Sequence, residues 1–446
     1  MKRKLRSLYL TWLLDERCIR LREAIFELRR LLTLRKRVVS VFLQLDDPYS
    51  YLLSVYLEPL MQRYKTKVEF RVYLCQALSG AYMPQPGMLA EYAVEDARKM
   101  AAEFGVPFLD VGETPAIEFR KHLLDYLATE QDEPDFAETM ISALRHYWRG
   151  DVEGVSKFVG RTVGGADETN VLVGRNQILL RKMGHYNCAT MHYAGEWFWG
   201  TDRLLYLVQR LDRQKLNRYK EAPQELASLV EAMRFKLPAT PPAAAKELPP
   251  MELFYSFRSP YSYLSLKATF AIAKSFGLRL VIRPVLPMVQ RGFEIPKSKL
   301  IYIVTDANRE AKRKKTPFGN FADPVGVGAE RCIAAFSYAE QQNRQFDFVL
   351  EAGKAVFAEG IDVATDEGMQ VVAERAGLFW PELQEALGDE EWRHRAKQNR
   401  EDLSEVGHWG VPVVKIGDAA FWGQDRDWMI ARHVEDLCSS GEGILV

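Results

Sequence analysis

The chain has 446 residues, with 60 Lys+Arg balanced by 60 Asp+Glu and 47% hydrophobic content. That length predicts two or more domains, each with its own core. The zero formal charge excludes bulk affinity for nucleic acid, and no run approaches the ~20 apolar residues of a membrane-spanning helix.

The elements begin with a basic stretch, Met1-Lys2-Arg3-Lys4-Leu5-Arg6. The apolar run after it, 8–14, is short, ends at Asp15-Glu16-Arg17 and has no small-residue cleavage site behind it. Helical spacing with many arginines predicts an amphipathic helix or helix pair over 3–36, within an N-terminal segment 1–37. Two uses are open to it: packing on its own domain or a partner subunit, or lying on a membrane surface.

A first domain is predicted over 38–235. An apolar strand at 38–43 leads to a helix at Pro48–Tyr64, a β-branched strand at 68–72 and a long helical stretch at about 85–175. Two short strands and a last helix close it at about 187–211. Residues 236–250, rich in Pro and Ala, read as a semi-rigid extended linker. A second domain over 251–438 repeats the pattern: strand 253–257, helix Pro260–Phe276, strand 280–283, helical stretch about 297–403, then two strands and a helix at about 411–437. Residues 439–446 form a tail.

The halves share landmarks at nearly constant offset. Pro48-Tyr49-Ser50-Tyr51 answers Pro260-Tyr261-Ser262-Tyr263. Tyr92, Asp96, Pro107 and Phe108 answer Tyr302, Asp306, Pro317 and Phe318. Gly184-His185 answers Gly407-His408, and 198–203 answers 421–426. The chain therefore reads as a tandem duplication. Each half is a βαβ unit and a ββα unit split by a helical insertion, an α/β fold with a mixed sheet of four strands.

Chemistry concentrates in the second half. Ser259 precedes Pro260 at a helix start, so its hydroxyl is an N-cap beside unsatisfied amides and the positive dipole end. Such a position suits an anion, a thiolate included. Val411-Pro412 stands just before a strand, where a cis X-Pro bond is predicted. Gly423-Gln424-Asp425-Arg426 follows a Phe-Trp strand and is read as the start of the last helix. Asp425 there is either a cap or the acceptor of an ammonium, with helix-start amides taking a carboxylate: the two ends of an α-amino acid.

These motifs (Ser-Pro-Tyr-Ser after the first strand, Val-Pro before the third, Phe-Trp-Gly-Gln-Asp-Arg into the last helix) resemble kappa-class glutathione transferases and the 2-hydroxychromene-2-carboxylate isomerases. The resemblance implies two tandem DsbA-like thioredoxin folds, each with an inserted helical subdomain. It implies glutathione as cofactor, with Ser259 bonding its sulfur and favouring the thiolate. Val411, before Pro412, would pair with the cysteinyl backbone, and Gln424 and Asp425, with Arg426 beside them, would hold the γ-glutamyl end. Lys299 would reach the glycyl carboxylate or an acidic substrate.

The first half departs from this pattern: Asp47 replaces the serine, and Cys188-Ala189 replaces Val411-Pro412. It reads as a non-catalytic copy, either completing an intramolecular pseudo-dimer or leaving the chain to form a homodimer. Cys18, Cys75, Cys188, Cys332 and Cys438 lie far apart, with no Cys-x-x-Cys and no Cys/His pair at zinc spacing. Free thiols in a reducing, cytoplasmic setting and no metal site follow. The expectation is a glutathione-dependent isomerase or transferase acting on a small aromatic or unsaturated compound. The alternatives are a non-enzymatic scaffold of two decayed thioredoxin-like modules and, lacking its cysteines, a thiol-disulfide oxidoreductase.

Overall fold

The computed structural model describes residues 2–113, 115, 117–159, 166–219, 221–240 and 248–440. Two compact units divide the chain: 21–234, and 235–446 together with 1–20. The N-terminal segment is a helix pair, α1 (Lys2–Leu14) and α2 (Glu16–Leu32). Most of the linker core, 241–247, and residues 441–446 of the tail lie outside the described residues.

In the first unit β1 (Arg37–Leu43), α3 (Pro48–Tyr64) and β2 (Val68–Leu74) form the βαβ part. The helical insertion is α4 (Pro86–Phe104), α5 (Ile117–Glu130), α6 (Phe136–Trp148), α7 (Val152–Val159) and α8 (Ala166–Met183). Strands β3 (Thr190–Tyr193) and β4 (Glu196–Trp199) follow, then α9 (Leu204–Arg213) and α10 (Gln224–Ala232).

The second unit repeats this with β5 (Met251–Tyr255), α11 (Pro260–Phe276) and β6 (Leu280–Pro284). Its insertion holds α12 (Lys297–Lys314), α13 (Val327–Gln341), α14 (Gln345–Lys354), α15 (Asp366–Arg375), α16 (Trp380–Ala386) and α17 (Glu391–Glu405). It ends with β7 (Val413–Ile416), β8 (Ala419–Trp422) and α18 (Asp427–Ser440). The last helix starts at Asp427, not within Gly423–Arg426 as its sequence suggests; residues 424–425 form a turn ahead of it.

The two sheets have one topology, β2-β1-β3-β4 and β6-β5-β7-β8. The first strand of each is central, parallel to the second and antiparallel to the third. Val39, Val41, Phe42 and Leu43 are fully buried, as are Leu253 and Tyr255, which is why these strands are near-continuous apolar runs. Proline at the first helical position starts both α3 and α11; Gly277, with φ 68°, ends α11 in the left-handed region.

The repeated landmarks are repeated contacts. Tyr49 donates to Asp96 and Tyr261 to Asp306, each at 2.8 Å. Tyr51 donates to the Pro107 carbonyl and Tyr263 to that of Pro317. Ser50 accepts the Gln44 amide at 3.1 Å, and Ser262 the Ser256 amide at 3.3 Å. Each set ties the helix after the first strand to the sheet and to the inserted helices. Gly353 lets α14 approach α11, since a Cβ there would lie 2.3 Å from the Tyr263 ring.

Helix α1 belongs to the second unit. Leu10 and Leu14 are buried, Thr11 Oγ1 accepts the Phe321 amide at 3.2 Å and Ser7 Oγ the Asp323 amide at 3.3 Å.

Asp306 is fully buried, so removing a donor from it exposes the desolvation cost of its carboxyl. Tyr261→Phe is expected to destabilise the second unit by about 1–3 kcal/mol, seen as a lower urea midpoint. An unchanged midpoint would show that the bond does not hold α11.

Candidate active site

Ser259 caps α11 with backbone angles of −89° and 113°, and its Oγ accepts the Ser262 amide at 3.1 Å. The same Oγ donates to the Val411 carbonyl at 3.3 Å, a long bond for a hydroxyl. Ser259 and Val411 therefore touch across the sheet edge. The bond between Val411 and Pro412 is cis, as its position suggests. Pro412 is buried and its carbonyl accepts the Gly423 amide at 3.0 Å, which links the Ser259 wall to the 423–426 turn.

Gln424 is buried and held from α12. Its Nε2 donates to Glu310 at 2.8 Å, and its carbonyl accepts from Lys314 Nζ at 2.7 Å. Lys314 also pairs with Asp427 at 2.6 Å, at the start of α18. Gln424 Oε1 is buried and has no hydrogen-bond partner among the described residues. Asp425, partly exposed, lies 3.5 Å from the guanidinium of buried Arg426.

Lys299 stands in the first turn of α12 and is half-buried. Burial lowers its ammonium to about 8. Glu310 is eleven positions further along the same helix, about 16 Å at 1.5 Å per residue. Ser259 and Val411 are thus in direct contact, and Pro412 is linked to Gln424 through the Gly423 amide, whereas Lys299 stands at the other end of α12.

Several groups at this site are silent in the motifs. Arg258, directly before Ser259, makes a two-pronged ion pair with buried Asp323, at 2.8 and 3.1 Å. Arg291, whose guanidinium burial lowers to about 10, donates to the Trp409 carbonyl at 2.8 Å, two residues before Val411. Glu310 and Lys314 continue the row begun by Asp306 at i, i+4 and i+8 of α12. That spacing, one face of a helix, is the signal that marks them in sequence.

The first unit keeps the backbone frame without these side chains. Asp47 caps α3, accepting the Tyr49 and Ser50 amides at 3.3 and 3.0 Å and the Ser50 hydroxyl at 2.7 Å. Burial pushes its carboxyl up to about 6. Ala189 occupies the place of Pro412 with φ 53°, and its carbonyl accepts the Gly200 amide at 2.7 Å. Burial, with Cys75 close by, drives the Cys188 thiol well above its ordinary value. His185 is buried and held down to about 3, so it is neutral and packs against Tyr186 and Trp197.

Among the described residues no group of three His, Cys, Asp or Glu could hold a metal ion, and no helix is long and apolar enough to cross a membrane.

Residues 251–435 match the model of the DSBA-like thioredoxin domain. A 2-hydroxychromene-2-carboxylate isomerase of Pseudomonas putida is 24% identical over 196 residues, 42% of this chain and 95% of that protein. Another, from Sphingobium xenophagum, is 24% identical over 184 residues, 40% of this chain and 93% of that protein. A solved structure of a 2-hydroxychromene-2-carboxylate isomerase is similar at 25% identity and a TM-score of 0.37, covering 43% of this chain and 96% of its own.

All five cysteines are free: Cys18 is half-exposed on α2 and the other four are buried. Titrating native protein with an aromatic disulfide reagent is expected to release one fast equivalent, lost in Cys18→Ser, with the rest appearing only on unfolding. Fast reaction of a second thiol would place another cysteine within reach of solvent.

Proposed function

Because residues 251–435 are a DSBA-like thioredoxin domain, we propose that the second unit is a glutathione-dependent isomerase or transferase of the 2-hydroxychromene-2-carboxylate isomerase type. The observation that carries this reading is the Ser259 hydroxyl at the N-terminus of α11, weakly engaged to the Val411 carbonyl. The names of the curated relatives, both isomerases, support it.

The residues present fit glutathione. Gln424 offers a buried acceptor without a partner, and Asp425 stands beside it with part of its carboxylate exposed. Together they suit the ammonium of a γ-glutamyl group. The Val411 backbone next to Ser259 suits a peptide. An extended tripeptide spans at most ~10 Å, so the flexible stem of Lys299 supplies the remaining reach to a carboxylate at the other end.

Bound glutathione would supply a thiolate that adds to an electron-poor alkene and leaves after bond rotation, with no metal required. Ser259 serves this by turning its hydroxyl proton from the Val411 carbonyl to the sulfur while its oxygen still caps Ser262. The amides of α11 stabilise the same charge through the helix dipole. Together these lower a thiol by about one to two units, each worth about 1.4 kcal/mol. In the first unit Asp47 presents acceptors where a donor is needed, so that unit is assigned no catalysis.

Calorimetric titration with glutathione tests the reading. Wild type is expected to bind. Ser259→Ala is expected to lose the ultraviolet thiolate band about tenfold or more while changing affinity little. Asp425→Ala should weaken affinity about tenfold or more, the loss of a charge-assisted bond. No binding by wild type sinks the proposal.

The pH response follows from Lys299. Its charge is present below about 8 and lost above it, so a carboxylate it holds is released as pH rises through that value. Affinity for S-methylglutathione, which has no thiol to titrate, is expected to fall above pH ~8, and to fall less in Lys299→Arg, where only the ligand's own ammonium still titrates. A flat wild-type profile would remove Lys299 from the site.

A further inference from the structure

Helix α2 is amphipathic with its faces reversed. Its carboxylates point to the protein: Glu23 pairs with Arg210, which is 2% exposed, and Glu27 pairs with Arg30 and Arg37. Its apolar stripe points outward. Leu21, Ile25, Leu28 and Leu32 follow one another at spacings of four, three and four, and are 59%, 41%, 56% and 75% exposed. No residue of α2 is buried. An amphipathic helix ordinarily turns such a stripe to the core, and an exposed one of this kind marks an interaction surface.

The charges around the stripe identify what it meets. Arg17 and Arg29 are exposed on its two flanks, with Arg20, Arg35 and Lys36 also exposed. At 3.6 residues per turn, Glu16, Glu23 and Glu27 fall on the opposite face. Residues 1–37 hold twelve Lys and Arg against four Asp and Glu, in a chain whose formal charge is zero. Two copies meeting through this stripe would bring arginine against arginine. An anionic lipid layer complements both features, taking leucines among its acyl chains and guanidinium groups among its headgroups.

We infer that α2 is a peripheral docking helix for an anionic membrane surface, lying in the plane of the interface with Leu21, Ile25, Leu28 and Leu32 inserted. It is only 17 residues long and carries charge along its length, so it lies on a bilayer and does not cross it. Docking through this face leaves the Glu23 and Glu27 ion pairs intact.

Flotation of the full-length protein with vesicles tests this. Binding is expected to mixed phosphatidylglycerol–phosphatidylcholine vesicles, weakening steeply with added salt, and not to phosphatidylcholine alone. Leu28→Ser and Leu32→Ser should each weaken partitioning about tenfold or more, and Arg29→Gln about fivefold. All three are surface changes, and circular dichroism should match wild type. Failure to float with anionic vesicles overturns the inference. So does equal, salt-independent binding to neutral vesicles. A doubling of mass in solution that Leu28→Ser abolishes would assign the stripe to a second copy and overturn it equally.

Discussion

Asp306, Glu310 and Lys314 stand one turn apart on α12, and each is held by a group from another element. Asp306 accepts from Tyr261 of α11, Glu310 from Gln424, and Lys314 grips both the Gln424 carbonyl and Asp427 of α18. Buried charges are tolerated only when their partners are in place, because an orphaned one costs several kcal/mol. The row therefore acts as a ruler: the helix that Ser259 caps and the turn that carries Gln424 and Asp425 are both registered against α12. The Arg258–Asp323 pair fixes the approach to Ser259 in the same way.

The two units share a frame and differ in the residues at the ends of its elements. The Tyr–Asp bond, the Tyr–carbonyl bond and the Ser–amide bond recur, along with the amide-to-carbonyl link between the third strand and the turn after the fourth. These contacts concern packing and sheet ends, and they are independent of what is bound. The residues that differ, Asp47 for Ser259 and Cys188-Ala189 for Val411-Pro412, sit at the ends of elements, with their side chains outside these shared contacts.

Much of this was legible in the chain. Proline at the first helical position marks the start of α3 and α11, since the amide it lacks would have no partner within the helix there. Apolar runs marked β1 and β5, and the shared spacing of Tyr302 and Asp306 with Tyr92 and Asp96 marked the inserted helices. The start of α18 is less legible: Asp425 resembles a cap, whereas the chain first makes a turn pinned by the Pro412 carbonyl and Lys314, and the helix begins at Asp427. Spacing along α12 marks Glu310 and Lys314 as sharing a face with Asp306, but neither their partners nor that of Arg291 is legible in the chain. Each acts on a backbone or side chain more than a hundred residues away, and only the fold brings the pairs together.

The left-handed backbone at Ala189 bears on whether the first unit could take the residues of the second. Proline holds φ near −65°, and Ala189 sits at +53°, so the Pro412 residue cannot be installed there on the existing backbone. Placing serine at position 47 would change one side chain; placing proline at position 189 would require the chain around 187–190 to be rebuilt. The two units therefore differ in main-chain conformation as well as in side chains at this place, and side-chain substitution alone does not convert one into the other.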